Sequence, residues 1–550
     1  MFGWLQALVV LGAVLALHFP LGDYMARALD GGPHLGIERR MYRLCGIDPD
    51  REQDWRGYLI AMAAFSVVGI VVLFLLLWLQ GWLPWSLGHP GMSWQLTLDS
   101  SVSFATNTSW QNYAGETTTG HLAVMAGLGV QGVASGSVGI CVALALVRGL
   151  VRHSGREVGN FWVDLLRSIF RIMLPLAVIF GLILIGLGVE QNLAGAQAAT
   201  TFTGGSQTII GGPIGSWEPI KLMTGDGGGF FNASSTHPFE NPTALSNAVE
   251  ILLMLLIPTA FIRTFGRMAG NLRLSWTLLV VVVILFGLLL TGGVLAQEFH
   301  QSTVSQAVGG PVEGTEQRFG VPGSTLFGVS STATADGALG ASYDSFNGLG
   351  GGVLVAAMML GEIAPGGTGS GLYGLIMVLL VTVFLGGLMV GRTPEFLGKR
   401  IGFPEMRLVV AYTLVAPTAI LALTAIAIAT PAGRAGMGNT GAHGFMEILY
   451  AYTSNVMGNG SAMAGLTGNT TFYNLTMTAG MLIGRYLPMV FVLALAGRLV
   501  GQRPMAATAG TLRAQGVTFV VLATSAALIL ALLNFLPALF LGPLADGALG

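Results

Sequence analysis

The chain has 550 residues, of which 53% are hydrophobic and only 9% are charged, against about 25% charged in a soluble domain. That composition excludes a water-soluble globular protein; the formal net charge of −1 says nothing about partners, because the distribution of charge carries that information, and no nucleic acid is expected among them. The two cysteines, Cys45 and Cys141, fit neither a metal-binding spacing nor a disulfide framework.

Apolar windows of about 20 residues are long enough to cross a bilayer as helices. In chain order they predict ten spans, near 2–20, 57–80, 120–147, 166–189, 243–263, 275–297, 346–390, 406–430, 471–498 and 514–541. The first has no basic residue ahead of it and no small-x-small cleavage pattern, so it reads as a retained helix. The seventh is too long for one crossing and contains GEIAPGGTGSG (361–371), which predicts a helix broken inside the membrane.

Lys and Arg orient these spans, because cytoplasmic loops are enriched in them. After span 1 come Arg27, Arg39, Arg40, Arg43, Arg51 and Arg56; around the loop after span 3 come Arg148, Arg152, Arg156, Arg167 and Arg171. Arg263, Arg267 and Arg273 follow span 5. Arg392, Lys399, Arg400 and Arg407 follow span 7, and Arg498, Arg503 and Arg513 follow span 9. Only Lys221, Arg318 and Arg434 fall on the other side, with Arg485 inside span 9. The split predicts ten spans with both termini outside.

Four outer loops share one order: an apolar span, a short segment, a glycine-containing strip, another span. The strips are TNTSWQNYAGE (106–116), TGDGGGFFN (224–232), ATADGALGA (333–341) and MGNGSAMAG (457–465). With Gln111, Gly227, Gly337 and Gly460 as markers they recur about every 110 to 120 residues, an internal-repeat pattern common in transporters. Irregular backbone is tolerated at membrane depth only where it is buried in protein or lines a wet cavity. Rings of carbonyl oxygens can replace the hydration shell of a cation. The segments ahead of the strips, such as SWEPIKLM (216–223) and GFMEILYAYTS (444–454), then read as re-entrant pore helices whose C-terminal ends face the ion. The competing reading is that the glycines only let membrane helices pack closely.

At these strips the chain resembles the potassium-binding subunit of the bacterial Kdp-type potassium-transporting ATPases, over almost its full length. The resemblance rests on TNTSWQNYAGE, GGGFFNASSTHPFENP (227–242), GSGLYG (369–374), GLMVGRTPEFLGKRIGFPEMR (387–407), EILYAYTS with NGSAMAGL (447–466), and PLGDYMARAL (20–29). It implies an all-α integral membrane protein of ten transmembrane helices. Four pseudo-symmetric helix–pore-loop–helix units surround one pore, with an extra helix at each end. The expected division is an N-terminal helix and loop (1–56), pore units at 57–150, 151–270, 271–400 with the broken helix, and 401–505, and a C-terminal helix (506–550). The resemblance also implies a bacterial inner-membrane complex with a P-type ATPase subunit and two small membrane subunits. Potassium is the substrate, and ATP and magnesium belong to the partner. This chain has neither a G-x-x-x-x-G-K-[ST] loop nor a D-K-T-G motif, so pumping requires that partner. A stand-alone channel or ion-coupled symporter of the same superfamily is the alternative, and an intramembrane enzyme built on His237, Glu240 or Asp226 a remoter one, since no nucleophile–base pair is apparent.

The filter candidates are Asn107, Thr108, Ser109 and Gln111 in the first strip, and Gly227, Gly228 and Gly229 in the second. Gly337 and Ala338 follow in the third, and Asn459, Gly460 and Ser461 in the fourth. Gln111 occupies the family position associated with potassium affinity, or else it only holds the pore loop in place. Ser461 is either a hydroxyl ligand or a helix cap. Asp226 and Asp336 depart from the family pattern, which has asparagine and often cysteine there; they either attract cations or point away from the axis. Val456, Met457 and Gly458 replace a polar run. Asn241–Pro242 reads as the cap and first residue of the next helix. Deeper in the membrane, Glu362 and Arg485 are costly ionisable residues, expected as a gate or as a structural ion pair. No metal beyond potassium is expected.

Overall fold

The computed structural model describes residues 2–299, 313–389, 391, 394–503 and 514–549. Arg392 and Arg513, counted above with the basic loops, and the expected boundary at 505/506 lie outside the described residues. Among the described residues ten helices are long and apolar enough to cross a membrane. The architecture is helical throughout, and the strands form only two-stranded hairpins or bridges in connecting loops.

Helix α1 (Phe2–Leu29) runs nine residues past the expected end, and a short amphipathic helix α2 (Gly36–Cys45) follows. Each pore unit then repeats one plan. Unit 1 comprises α3 (Trp55–Trp78), pore helix α4 (Trp94–Ala105) and α5 (Ala123–Val151). Unit 2 comprises α6 (Phe161–Gly186), pore helix α7 (Ile214–Thr224) and α8 (Ala244–Met268). Unit 3 has α9 (Leu272–Phe299), pore helix α10 (Gly320–Ala333), and a broken second helix in two pieces, α11 (Gly348–Met359) and α12 (Ser370–Met389). Unit 4 has α13 (Phe403–Ala429), pore helix α14 (Gly441–Met457) and α15 (Thr471–Val500), and α16 (Val517–Ala548) closes the chain.

The layering follows from burial. In units 1 to 4 the first helix is 22, 28, 50 and 28% buried over its most apolar stretch, and the second is 94, 78, 67 and 50% buried. In every unit the second helix is therefore the inner one. Small residues make this possible: a Cβ at Gly149 of α5 would collide with the backbone of α15 at Ala496, which is how close backbones pack where lipid gives no hydrophobic drive.

Helix starts carry ordinary caps. Asp54 accepts the Gly57 N–H at 2.8 Å ahead of α3, and Thr243 accepts the Ser246 N–H at 3.1 Å ahead of α8. The cap of α8 is thus Thr243, two residues beyond the expected Asn241. Asn241 instead accepts from Ser246 Oγ at 2.7 Å and donates to Asn247 at 2.9 Å.

The basic face is knitted rather than loose. Arg148 makes a two-pronged pair with Asp164 at 2.6 and 2.8 Å, and the Tyr58 hydroxyl donates to the same carboxylate at 2.9 Å. All three are buried, so removing one charge would strand the other at a cost of about 3–5 kcal/mol. Arg171 pairs with Glu38 of α2, and Arg263 and Arg267 both hold Asp23 of α1. Lys399, fully buried, donates to the carbonyls of Arg152, Leu499 and Gln502. One ammonium thereby caps the ends of both α5 and α15, where helix dipoles favour a cation.

Candidate ion pathway and its four strips

Each pore helix stops for a local reason: the next turn contains residues with left-handed backbone. The φ values are 60° and 51° at Asn107 and Ser109, and 64° and 68° at Gly225 and Gly227. They are 57° and 82° at Ala335 and Gly337, and 84° and 94° at Gly458 and Gly460. In each strip two left-handed residues flank one that is not. This alternation turns successive peptide planes the same way, gathering N–H groups on one side and carbonyls on the other.

The hydrogen bonds show which side is which. The N–H of Thr108 donates to the Ser103 carbonyl at 2.9 Å, and that of Asp226 to Lys221 at 3.2 Å. Asp336 donates to Ser331 at 3.1 Å, and Asn459 to Ser454 at 2.8 Å. All four acceptors lie five residues upstream, in the last turn of the pore helix. The N–H groups are thus consumed behind the strips.

The strips also meet edge to edge. A Cβ at Gly460 would strike the carbonyl of Thr108, one at Gly337 that of Asn459, and one at Gly227 that of Asp336; one at Gly228 would lie 3.4 Å from Ser109. Strip 1 therefore touches strip 4, strip 4 touches strip 3, strip 3 touches strip 2, and strip 2 touches strip 1. Glycine is required at 227, 337 and 460 on two counts, positive φ and a neighbour's carbonyl where a side chain would be. Ser109, not Gln111, is the fourth equivalent position, so the sequence marker for strip 1 was two residues late.

Asn107, Gln111 and Asn459 reach a neighbouring unit, while Ser461 and Asp336 bond within their own. Gln111 accepts the Gly229 N–H at 2.8 Å and donates to the Tyr113 hydroxyl at 3.0 Å. Asn107 donates to the carbonyl of Gly225, and Asn459 to that of Ser331 at 3.0 Å. Ser461 hydrogen-bonds the Asn459 side chain and the Tyr450 hydroxyl of its own pore helix. The Ala338 N–H donates to Asp336 Oδ1 at 3.1 Å, and its carbonyl accepts from the Tyr343 hydroxyl at 3.1 Å. Asp226 packs its carboxyl group on α5: its Oδ2 lies 2.6 Å from where a Cβ on Gly132 would be. Both aspartates are buried and neither lines the outer cavity.

That cavity, about 340 Å³, opens above the ring and is lined from all four strips by residues such as Ser109, Gln111, Gly228, Gly337 and Gly460. No charged side chain is among its described lining residues. Below the ring lies a smaller cavity of about 120 Å³ lined by Glu362, Tyr373, Tyr412, Val456, Met457 and Arg485. The broken segment of unit 3 forms its roof and is pinned under the ring: the Gly366 N–H donates to Ala333 at 2.9 Å, and the Thr368 hydroxyl to Met223 at 3.0 Å. Arg485 Nη2 reaches the Ser135 carbonyl of α5 at 3.3 Å. Glu362 and Arg485 both line this cavity, with no salt bridge between them among the described residues. His237 stacks on Phe231 at 3.6 Å, and Glu240 pairs with Lys221 at 2.6 Å, which leaves neither poised as a metal ligand.

Sequence reading missed the carbonyl acceptors Ser103, Lys221, Ser331 and Ser454 and the hydroxyls Tyr343, Tyr450 and Ser234. The five-residue register from acceptor to strip was the available signal for the first four.

Comparison with known proteins agrees with this geometry. A family model described as the potassium-transporting ATPase A subunit, KdpA, matches residues 8–548. A potassium-transporting ATPase potassium-binding subunit of Streptomyces coelicolor is 48% identical over 545 residues, covering 99% of this chain and 98% of the relative. The protein of the same name from Kineococcus radiotolerans is 47% identical over 548 residues, covering 100% and 98%. Among solved structures, the potassium transporter TrkH from Vibrio parahaemolyticus superposes with a TM-score of 0.55 at 16% identity, covering 90% of this chain and 96% of that one, a likeness of fold. With its four strips, its inner and outer helices and a match over nearly all its residues, the chain belongs to the family of potassium-transporting ATPase A subunits.

Proposed function

We propose that the chain is the potassium-binding subunit of an ATP-driven potassium importer. The observation that carries this is the ring of four strips whose middle residues, Thr108, Asp226, Asp336 and Asn459, draw their N–H groups back onto the pore helices while their carbonyls accept no hydrogen bond among the described residues. Such a ring suits a dehydrated monovalent cation, because several dipoles replace its water without a fixed charge that would hold it too tightly. The backbones of 107–109, 225–229, 335–338 and 458–461 form the filter, and Gln111 acts by holding strip 2.

Potassium enters from outside through the uncharged outer cavity, with both termini on that side and the basic face in the cytoplasm of a bacterial inner membrane. Beneath the ring, Arg485 places a cation on the straight route, and the segment around Glu362 narrows it. The ion is diverted sideways to the P-type ATPase subunit, which holds ATP and magnesium; two small membrane subunits complete the complex.

The test is potassium-stimulated ATP hydrolysis by the purified complex, with Gly227→Ala beside the wild type. Because the added methyl occupies the place of the Asp336 carbonyl, half-saturating potassium is expected to rise more than about tenfold, a loss of ~1.4 kcal/mol or more. If potassium leaves hydrolysis unchanged while this chain alone conducts it in liposomes, a stand-alone channel becomes the better account.

A further inference from the structure

One hydroxyl under the outer cavity joins two strips. Ser234 lies in the turn after strip 2, buried and with φ 50°. A serine hydroxyl has one proton to give and two lone pairs to receive with. Both lone pairs are taken: Lys221 Nζ donates to Oγ at 3.3 Å, and the backbone N–H of Leu339 donates at 3.3 Å. The proton is therefore committed to the remaining partner, the Gly228 carbonyl at 2.8 Å. Gly228 belongs to strip 2 and Leu339 to strip 3, so Ser234 fixes their spacing.

Lys221 is built to serve this hydroxyl. It is 1% exposed and held by Glu240 at 2.6 Å and Glu218 at 3.0 Å. Glu240 also accepts the Phe231 N–H at 2.7 Å, and Ser235 donates to Glu218 at 2.8 Å. Glu218 and Glu240, with Glu250 also acting on it, more than offset the charge of the buried ammonium, and the ammonium polarises Ser234 into a stronger donor. A merely structural ion pair would be complete with Glu218, Lys221 and Glu240. It does not require a hydroxyl that reaches two strips.

We infer that Ser234, directed by Lys221, is a positioning residue for ion selection: it holds the Gly228 carbonyl and the strip 3 backbone in register and so sets the ring for one size of alkali cation. The inference rests on reading the strips as the potassium filter.

The experiment measures half-saturating potassium and rubidium for ATP hydrolysis by the full complex carrying Ser234→Ala, Ser234→Thr or Gly227→Ala. Ser234→Ala is expected to raise half-saturating potassium about three- to tenfold and to bring the potassium-to-rubidium ratio toward one, as for a lost hydrogen bond. Ser234→Thr keeps the hydroxyl but puts a β-branch at φ 50°, so strain falls on its yield while its potassium-to-rubidium ratio is expected to stay within about twofold of the wild type. If Ser234→Ala does not assemble, Ser234→Cys, close in volume and a weak donor, takes its place with the same expectation. A change in yield or maximal rate with an unaltered ion ratio would overturn the inference in favour of a structural role. An altered Gly227→Ala with an unaltered Ser234→Ala would overturn it while leaving the filter reading standing. If neither variant changes affinity, the filter reading itself has failed.

Discussion

Asp226 buries its carboxyl group against α5, with no lysine or arginine within salt-bridge distance among the described residues and Arg485 the charge that acts on it from farther off. Its nearest mobile counter-charge is the transported ion. Attraction of only ~1 kcal/mol, modest for charges at an effective dielectric near 20, shifts an affinity about fivefold. Asp226→Asn is therefore expected to raise half-saturating potassium severalfold in the ATP hydrolysis assay. Unchanged affinity and ion preference, there and in the double variant with Asp336→Asn, would show that both carboxylates are silent. Arg485 makes a different kind of contribution. It lines the lower cavity with one long hydrogen bond and, among the described residues, no carboxylate within salt-bridge distance, so its charge is available to repel a cation. Arg485→Ala is expected to let potassium leak passively through the complex in proteoliposomes and to lower the ions moved per ATP. A tight, fully coupled variant would refute a gating role.

At the scale of elements, the end of α16 is fastened to the last two pore units through one imidazole. His443, at the start of α14, bonds Asp546 of α16 at 2.8 Å and Asp344, just beyond strip 3, at 3.4 Å. The two carboxylates push its pKa up to about 10. A group whose folded pKa is raised stabilises fully below its unfolded value, near 6.5, and ceases to stabilise as pH rises through the folded value. The melting temperature of the wild type is thus expected to exceed that of His443→Gln by the most near pH 6. The difference should shrink between pH 6.5 and 10 and vanish above that; a constant difference would refute the clamp. Elements were also where the sequence was most readable. All ten spans, the pore helices at 216–223 and 444–454 and the break in span 7 follow from apolar length and glycine placement. What misled was local: α1 outlasts its apolar run because Asp23 is neutralised by Arg263 and Arg267, and α8 starts late because Thr243 outcompetes Asn241 for the cap.

At the scale of the molecule, the four strips were legible as glycine-bearing interruptions, but their register was not. The marker at Gln111 fell two residues beyond Ser109 because a side chain, rather than glycine, occupies the left-handed position there. Nor did spacing reveal that Asn107 and Gln111 spend their polar groups on strip 2; that depends on contacts between segments more than a hundred residues apart. The equivalent middle positions are Thr108, Asp226, Asp336 and Asn459, of which only two share a residue type, yet each hands its N–H to the carbonyl five residues before it. A surface made of main chain is inherited through fold rather than through spelling. If the four units descend from one duplicated ancestor, their codons were free to drift apart at these positions while the ring kept its shape, and the kinship is written more fully in the pattern of hydrogen bonds than in the letters.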